Sequence, residues 1–439
     1  MAAIITKDMR LHNARQFVEA VSEPANTKLY VFVGKPEEWA TESAPDTPID
    51  TYRSQVDVWD NMIALKKVTD SDITHVIPRN SWTSGTVYSQ YNDSITASNL
   101  FASNFVVMNS SYFVYKCLNN ANASLASTTE PTGTGLTGNN LVYTADGYTW
   151  KYMYTIDTGN VLKFSTPTFI PVLSDSTVTT NAANTKGIYA YNIVSANVDN
   201  GSLADNTVIT IVGDGSGATA NIRVTSGNIW KVNVLNPGSG YTVANITTDI
   251  GNAVIEPIIA PVDGHGYDAI DEVGGVYSMI NVRLEQTDTD IPANTKFRQV
   301  GVIKDPYNYG TTTIATASTL RNYGNLLLTS ADAESASILP GVVLKDTTTG
   351  ANAIVVNYAG SDVINYIRTR TASSNIQANF ATIKDGDTIQ ISGTSLGTIS
   401  ANATATVAQN SGEILYVDNR NVISRSTDQV ESLYIVLEF

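Results

Sequence analysis

The sequence contains little cysteine and little histidine. Cys117 is the only cysteine, which excludes an intramolecular disulfide and a cysteine-based zinc finger. Its apolar surroundings, residues 112–118, predict a small buried side chain in a strand, with a reactive thiol as the alternative. His12, His75 and His265 have no partner at metal-ligand spacing, and we expect them to be solvated or structural. We therefore predict no metal site and no cofactor.

Charge, and positive charge above all, is also scarce. Only 15% of residues are charged, and 26 Lys and Arg face 41 Asp and Glu, giving a net charge of -15. An acidic chain repels phosphate, so we expect no nucleic-acid partner and no affinity for an anionic membrane surface.

Long apolar runs are missing as well. No window reaches 18 uninterrupted apolar residues, so we expect no membrane insertion. Residues 1–8 have no basic segment followed by an apolar run, so we expect no signal peptide.

Motifs that carry catalysis are not apparent. Residues 213–217 are glycine-rich without the Lys-Ser/Thr ending of a phosphate loop. Asp385 and Asp387 offer two carboxylates to calcium, although two acids in a turn are also typical of the turn alone. Triad members distant in sequence and paired glycosidase carboxylates stay open. We predict that the protein is not an enzyme and has no small-molecule substrate.

The chain is long and apolar enough for two to four subdomains, with 439 residues of which 42% are hydrophobic. Two helices are predicted near the start. The first spans residues 1–22, with Asp8 as its N-cap, and Pro24 prevents its extension. The second runs from about Thr51 to Lys67, with Asp50 as its cap and Trp59 in its apolar stripe.

Strands dominate from residue 75 onwards. Residues 105–108 and 112–118 flank a turn and predict a hairpin. Period-two alternation then predicts a half-buried strand with one aromatic face, a row that also suits sugar stacking: Tyr148, Trp150, Tyr152, Tyr154 and Ile156.

Changes in composition divide the chain. Residues 187–262 contain short strands between glycine turns and resemble small β modules that recur in phage tail and bacterial surface proteins. Residues 308–410 are again rich in Thr, Ala, Ser and Asn. We predict an N-terminal core (1–186), an inserted small β domain (187–262), a core continuation (263–307), a second inserted β region (308–410) and C-terminal core strands (411–439).

Three separated motifs, at residues 74–82, 296–306 and 411–420, occur in one order with further segments at 33–39, 57–62, 113–118 and 146–152. In this order they resemble the baseplate wedge subunit of T-even-type contractile-tailed bacteriophages, the gene-eight product family. The matched parts cover roughly residues 1–175, 263–306 and 411–439. The two inserts depart from the family pattern, which leaves open the outer surface and the neighbours contacted there.

The resemblance implies a mainly β fold with a layered β-sandwich core, to which the sequence analysis adds a few short helices and two inserted small β domains. It also implies a structural subunit of the virion tail baseplate, assembled in the host cytoplasm. Such a subunit forms a homodimer, binds other baseplate wedge proteins and takes part in the rearrangement that triggers sheath contraction.

Four residues in or beside the motifs are structural or interface candidates: Arg79, Trp82, Arg298 and Arg420. An arginine beside apolar residues can pair with a carboxylate, pair with backbone carbonyls or stack on an aromatic ring, and a simply solvated arginine is the alternative. Two other functions remain open: a tail-associated host-surface (carbohydrate) binding protein, and a tail-associated glycan hydrolase.

Overall fold

A computed structural model describes residues 3–23, 27–121, 125–135, 138–198, 203–329, 337–368 and 382–439. The protein is mainly β with a few short helices, which confirms the predicted fold class. The chain forms two compact units. Unit 1 contains Met1–Phe17, Thr74–Met279 and Val436–Phe439, and unit 2 contains Val18–Ile73 and Ile280–Ile435. Pro24 lies outside the described residues.

The first 186 residues contain two short 3-10 helices, Asp70–Asp72 and Ala182–Thr185. Their other elements are, in chain order, α1 (Lys7–Ser22), β1 (Leu29–Gly34), α2 (Tyr52–Asn61), β2 (Met62–Lys67), β3 (Ile73–Pro78), α3 (Ala97–Phe101), β4 (Val106–Met108), β5 (Phe113–Asn119), β6 (Leu141–Tyr143), β7 (Thr149–Thr155), α4 (Thr158–Phe164), β8 (Phe169–Pro171) and α5 (Ser176–Asn181).

In the rest of the described chain the elements are strands, with one short helix among them. They are β9 (Tyr191–Ser195), β10 (Val208–Ile209), β11 (Ile211–Gly213), β12 (Thr219–Thr225), β13 (Asn228–Asn236), β14 (Ala244–Ile246), β15 (Val254–Pro257), α6 (Ala269–Val273), β16 (Tyr277–Leu284), β17 (Thr295–Lys304), β18 (Thr319–Arg321), β19 (Gly324–Leu328), β20 (Val343–Asp346), β21 (Asn352–Gly360), β22 (Val363–Ile367), β23 (Thr388–Ile391), β24 (Thr394–Ala403), β25 (Glu413–Arg425) and β26 (Glu431–Glu438).

Unit 2 contains a five-stranded antiparallel sheet in the order β18-β2-β1-β17-β25. Strand β17 pairs with β1 on one side and with β25 on the other. Every residue of β1 is buried, as expected for an apolar strand inside a sheet. Trp59 of α2 is buried against this sheet, which confirms its predicted place in the core.

The second helix is shorter than the sequence predicts. It ends at Asn61, and residues 62–67 form strand β2 instead. Gly34 explains the change, because a Cβ there would lie 2.8 Å from the Asn61 carbonyl oxygen, so β1 passes directly against the helix end. Asn322 donates through Nδ2 to the carbonyls of Trp59 and Met62, at 2.8 and 2.9 Å, and satisfies the last turn.

The predicted helix starts also need correction. Thr51, not Asp50, is the N-cap of α2, and it forms a capping box with Ser54. Helix α1 begins at Lys7, so Asp8 lies in its first turn rather than at its cap.

Unit 1 contains an antiparallel sheet in the order β4-β5-β7-β6. Strands β4 and β5 form the predicted hairpin, and Cys117 is fully buried within β5. Burial raises the pKa of the Cys117 thiol, so the alternative of a reactive thiol is not supported.

The prediction that β7 is half-buried is wrong. Six of its seven residues are buried, because a second layer covers the face opposite the aromatic row. Trp150 and Tyr152 pack with the Tyr88 and Tyr115 rings, at centroid distances of 5.6 and 6.0 Å. Tyr152 pairs with Tyr115 whereas Tyr154 pairs with Val114, so the strand carries a bulge at this point. These buried rings are not a platform for sugar stacking.

Residues 187–262 have an apolar core of their own. Strands β12 and β13 pair within it, and its buried side chains are Ile188, Tyr191, Val198, Ile209, Ala220, Ile222, Ile229, Tyr241, Ile250, Ala253 and Ile255. The chain enters and leaves this segment at adjacent positions, since Thr185 Oγ1 donates to the His265 carbonyl at 2.9 Å. These features support our proposal that residues 187–262 are an insert.

A closed barrel, β19-β22-β21-β20-β23-β24, lies inside the second predicted insert, residues 308–410. Its interior is filled by apolar side chains such as Leu326, Leu344 and Ile389, so it is a packed core rather than a pore. The segments before and after the barrel are hydrogen-bonded to each other, because Tyr309 N donates to the Thr406 carbonyl at 2.9 Å. Strand β18 lies within residues 308–410 but belongs to the five-stranded sheet. We propose the barrel, residues 324–403, as the inserted body.

Removal of residues 187–262, with residue 186 joined to residue 263 by a short glycine linker, is expected to leave the rest folded. The deletion removes Tyr189 from its cluster with Leu118 and Leu141, at a cost of about 3 kcal/mol. Circular dichroism in the near ultraviolet and calorimetry should show a folded protein that melts at a lower temperature.

A matched deletion of residues 191–257 joins Ala190 to Ile258, which are already hydrogen-bonded at 3.0 Å, and keeps Tyr189. It should melt at a higher temperature than the larger deletion. Loss of the near-ultraviolet signal in both variants would contradict the proposed boundaries.

Candidate functional site

Three of the sequence motifs meet on strand β17 of unit 2. The motif at 33–39 includes the end of β1, where Val33 lies opposite Val300 and Gly34 opposite Gln299. The motif at 411–420 includes the start of β25, where Val417 lies opposite Gly301 and Asn419 opposite Gln299. A single strand thus joins segments almost 400 residues apart in sequence.

Arg298 is the most buried of the four candidate residues, with 1% of its surface exposed. Its Nε donates to Glu42 Oε1 at 2.5 Å, and its Nη1 donates to the Pro36 carbonyl at 2.6 Å. Both acceptors lie in the loop that follows β1. The guanidinium therefore fastens this loop with one carboxylate and one carbonyl, which is the paired arrangement rather than the solvated one.

Glu42 completes this contact. Desolvation opposes its charge, but hydrogen bonds from Arg298 and from the Trp39 amide outweigh that effect and hold the pKa of the Glu42 carboxyl below its usual value. Sequence reasoning missed Glu42, because it lies outside the motifs in a segment with no periodic pattern.

Arg420 is placed differently from Arg298. Its side chain is about half exposed and pairs with Asp418 at 2.6 Å, two residues away on the same strand. Its backbone carbonyl accepts a hydrogen bond from Trp39 Nε1 at 2.9 Å. The loop that Arg298 holds is therefore also tied to β25, but through the backbone of Arg420 and not through its guanidinium.

A polar chain extends the same connection. Gln299 Nε2 donates to Asn419 Oδ1 at 2.8 Å, and Asn419 Nδ2 donates to the Asp46 carbonyl at 2.7 Å. Residues 35–50 are thus held by both β17 and β25. An open cavity of about 500 Å³ lies between this segment and strand β25, and we call it the β25 groove. Its lining residues are Lys35, Trp39, Asp46, Thr47, Pro48, Ile49, Asp50, Ser54, Gln55, Asp57, Val58, Asn61, Gln299, Ile414, Leu415, Tyr416, Val417 and Asn419.

Arg79 and Trp82 lie in unit 1. Arg79 donates through Nη1 to the Thr166 carbonyl at 3.2 Å and through Nε to Ser81 Oγ at 3.1 Å. Trp82 donates through Nε1 to Ser127 Oγ at 3.1 Å. Both are partly buried and fasten loops to one another. Arg298 and Arg420 thus meet at one loop of unit 2, whereas Arg79 and Trp82 serve loops of unit 1.

A buried ionic cluster in unit 1 was missed by sequence reasoning. Lys116 of β5 and Lys151 of β7 lie directly opposite each other, and both are fully buried. Like charges placed opposite each other destabilise a sheet, so the pair requires compensation. Glu272 supplies it through Oε2, 2.7 Å from Lys116 Nζ, while Lys151 Nζ donates to the Asn139 carbonyl at 2.9 Å. The available signal was a lysine in the middle of two apolar strands.

The ammonium of Lys116 also lies 4.1 Å from the centre of the Tyr91 ring, a cation–π contact. Burial lowers the pKa of the Lys116 ammonium. It also lowers the pKa of Lys151, to about 8. The charge of Glu272 opposes this in both lysines. The cluster holds the segment around α6 against the sheet.

His265 lies beside this cluster in a turn of two left-handed glycines. A Cβ on Gly266, whose φ is +96°, would lie 2.7 Å from Lys151 Cε, so only glycine fits. The imidazole contacts the rings of Tyr91 and Tyr189 edge-on, at 5.1 and 5.9 Å. Burial, and next the charges of Lys116 and Lys151, hold the pKa of His265 well below its usual range.

The other two histidines lie outside this cluster. His75 is buried with Nδ1 3.0 Å from the Gly275 carbonyl, and His12 is exposed on α1. His75 and His265 are therefore structural, and His12 is solvated, as the sequence predicts.

In the two loops considered as ligand sites, the carboxylates accept hydrogen bonds from backbone amides of the protein itself. Asp387 is buried and accepts the Lys384 amide at 2.9 Å. The Asp214 carboxylate accepts the amides of Thr242 and Val243, both at 2.9 Å. Within the described residues, no group of three or more His, Cys, Asp or Glu side chains is arranged to hold a metal ion. None of the described helices has the length and apolar composition needed to cross a bilayer.

The buried His265 makes stability depend on pH. Its folded-state pKa lies below the unfolded value, so the unfolded chain binds a proton first as the pH falls through about 6.5. Its contribution is fully present above that pH and is lost below it. Between pH 6.5 and 5.0 the loss is up to about 2 kcal/mol, at about 1.4 kcal/mol per pH unit.

Urea unfolding of wild type and a His265→Phe variant across this range measures the effect. The midpoint of the unit 1 transition should fall more steeply in wild type than in the variant. His12→Gln, at an exposed position, should keep the wild-type slope. Equal slopes for His265→Phe and wild type would contradict this assignment.

Comparison with known proteins agrees with the motifs. Residues 3–124 match the family model described as Bacteriophage T4, Gp8. The baseplate wedge protein gp8 of Enterobacteria phage T4 is 24% identical over 185 residues, which cover 35% of this chain and 55% of that protein. The chain thus spans about half the length of the curated relative it matches. These matches confirm the resemblance carried by the sequence motifs: the chain is similar to the gp8 family of baseplate wedge proteins.

Proposed function

We propose that this protein is a structural subunit of a phage tail baseplate, where it holds neighbouring wedge proteins together. The observation that carries the proposal is the match to gp8 over residues 3–124, together with the convergence of the later motifs on β17. Three of the segments that sequence reasoning grouped, at 33–39, 296–306 and 411–420, contribute neighbouring strands to one sheet in unit 2.

The chemistry of the described residues supports a structural role. Several buried charges are engaged within the protein, as in Lys116–Glu272 and Arg298–Glu42. Buried pairs of this kind fix the position of the segments that carry them. We therefore propose that the protein has no enzyme activity.

We further propose a homodimer within each wedge, and contacts between that dimer and other wedge proteins. Exposed apolar side chains are available for such contacts, including Ile49 and Tyr52 in unit 2 and Val262 and Tyr267 in unit 1. Rearrangement of these contacts would take part in the signal that triggers sheath contraction.

A cryo-electron microscopy reconstruction of the intact virion tail tests both proposals. The closed barrel and the five-stranded sheet are distinctive shapes to locate in the density. We expect the chain in the baseplate, as two adjacent copies in each wedge. A position in a fibre, or no density in the tail, would refute the structural assignment. Single, separated copies in the baseplate would refute the dimer alone.

A further inference from the structure

The β25 groove has an apolar floor that remains uncovered. Ile49 is 71% exposed and Leu415 is 45% exposed, although both are large aliphatic residues. Pro48 and Tyr416 extend the apolar surface between them. Strand β25 lies at the end of the five-stranded sheet.

The groove follows the chain of β25 from Ile414 to Asn419. Five residue steps of an extended strand measure about 17 Å. This length matches an extended peptide of about six residues.

The charged residues that line the groove are mostly acidic. Asp46, Asp50 and Asp57 line it, and none of these carboxylates has an ion-pair partner among the residues that the structure describes. Lys35 is the one basic lining residue. Its ammonium is already engaged, 3.3 Å from Glu37 and 5.5 Å from the centre of the Trp39 ring.

We propose that the β25 groove binds an extended segment of another protein, with apolar side chains flanked by Lys or Arg. The apolar residues would cover Ile49 and Leu415, and the basic residues would meet the three unpaired carboxylates. The inference rests on the proposed function, since it assigns the groove to a neighbouring baseplate subunit of this chemistry.

A second copy of this chain does not fit the groove. Its net charge of -15 would bring further negative charge to the rim. In a two-fold contact through this surface, Asp46, Asp50 and Asp57 would face the same residues of the partner. Charge complementarity therefore favours a basic partner segment over self-association at this site.

A designed peptide tests this inference on the purified full-length protein. The probe is a fluorescent nine-residue peptide with alternating isoleucine and threonine in its five central positions and two lysines at each end. We expect saturable binding by fluorescence anisotropy at low salt, weakened as the salt concentration rises. The same peptide with glutamate in place of lysine, or with serine in place of isoleucine, should not bind.

Variants of the protein locate the binding. The double change Asp46→Asn and Asp50→Asn should weaken binding about tenfold, because two charge contacts are lost. Ile49→Ser should weaken it by a similar factor. Asp385→Asn removes an exposed carboxylate from the barrel, outside the groove, and should bind like wild type.

Equal binding of the lysine and glutamate peptides, no binding of either, or wild-type binding by the double variant would each overturn the proposal. Self-association that Ile49→Ser abolishes would overturn it too, since the occupant would then be a second copy. If the peptide assay fails but the chain is located in the baseplate, only the groove assignment is refuted. If the chain is absent from the virion, the proposed function is refuted, whatever the result of the peptide assay.

Discussion

The buried guanidinium of Arg298 is the contact on which the arrangement of unit 2 around β17 depends. It projects from the strand that joins β1 to β25, and it binds Glu42 and the Pro36 carbonyl. The loop so held contributes Trp39 to the backbone of β25 and Asp46 to the chain from Gln299 through Asn419. The loop at residues 35–50, which forms one wall of the β25 groove, is therefore held in place by the buried charge of Arg298.

Unit 1 uses the same device, again with buried cations compensated by a carboxylate. Two lysines, Lys116 and Lys151, are buried opposite each other in the sheet, and one carboxylate from α6, Glu272, compensates them. Removing one partner of a buried ion pair typically costs about 3–5 kcal/mol, because the other charge is left unpaired. Such a pair accepts only one position of the covering segment. In both units, an irregular segment is thus located by a charge and not by apolar packing alone.

The sequence predicted the strands with clear alternation or clear boundaries, including the β4–β5 hairpin and the buried Cys117. It failed where tertiary contacts override local pattern. The run at 62–67 continues a helical stripe, but the close passage of Gly34 ends the helix and turns the run into β2. Strand β7 shows period two, yet a second layer buries its polar face. Arg298 was found through its motif, whereas Glu42 and Glu272 carry no local signal, since their roles depend on partners 256 and 156 residues away.

Hydrogen–deuterium exchange of the loop at residues 35–50 tests the central claim most directly. In an Arg298→Ala variant the loop loses both of its anchors on β17, and we predict that its amides, the Trp39 amide in particular, exchange at least tenfold faster, as expected for a local stability loss of about 1.4 kcal/mol or more. Arg420→Ala removes an exposed guanidinium but keeps the backbone carbonyl that Trp39 binds, so its loop should exchange like wild type. Unchanged exchange in Arg298→Ala, or equal acceleration in both variants, would contradict the account.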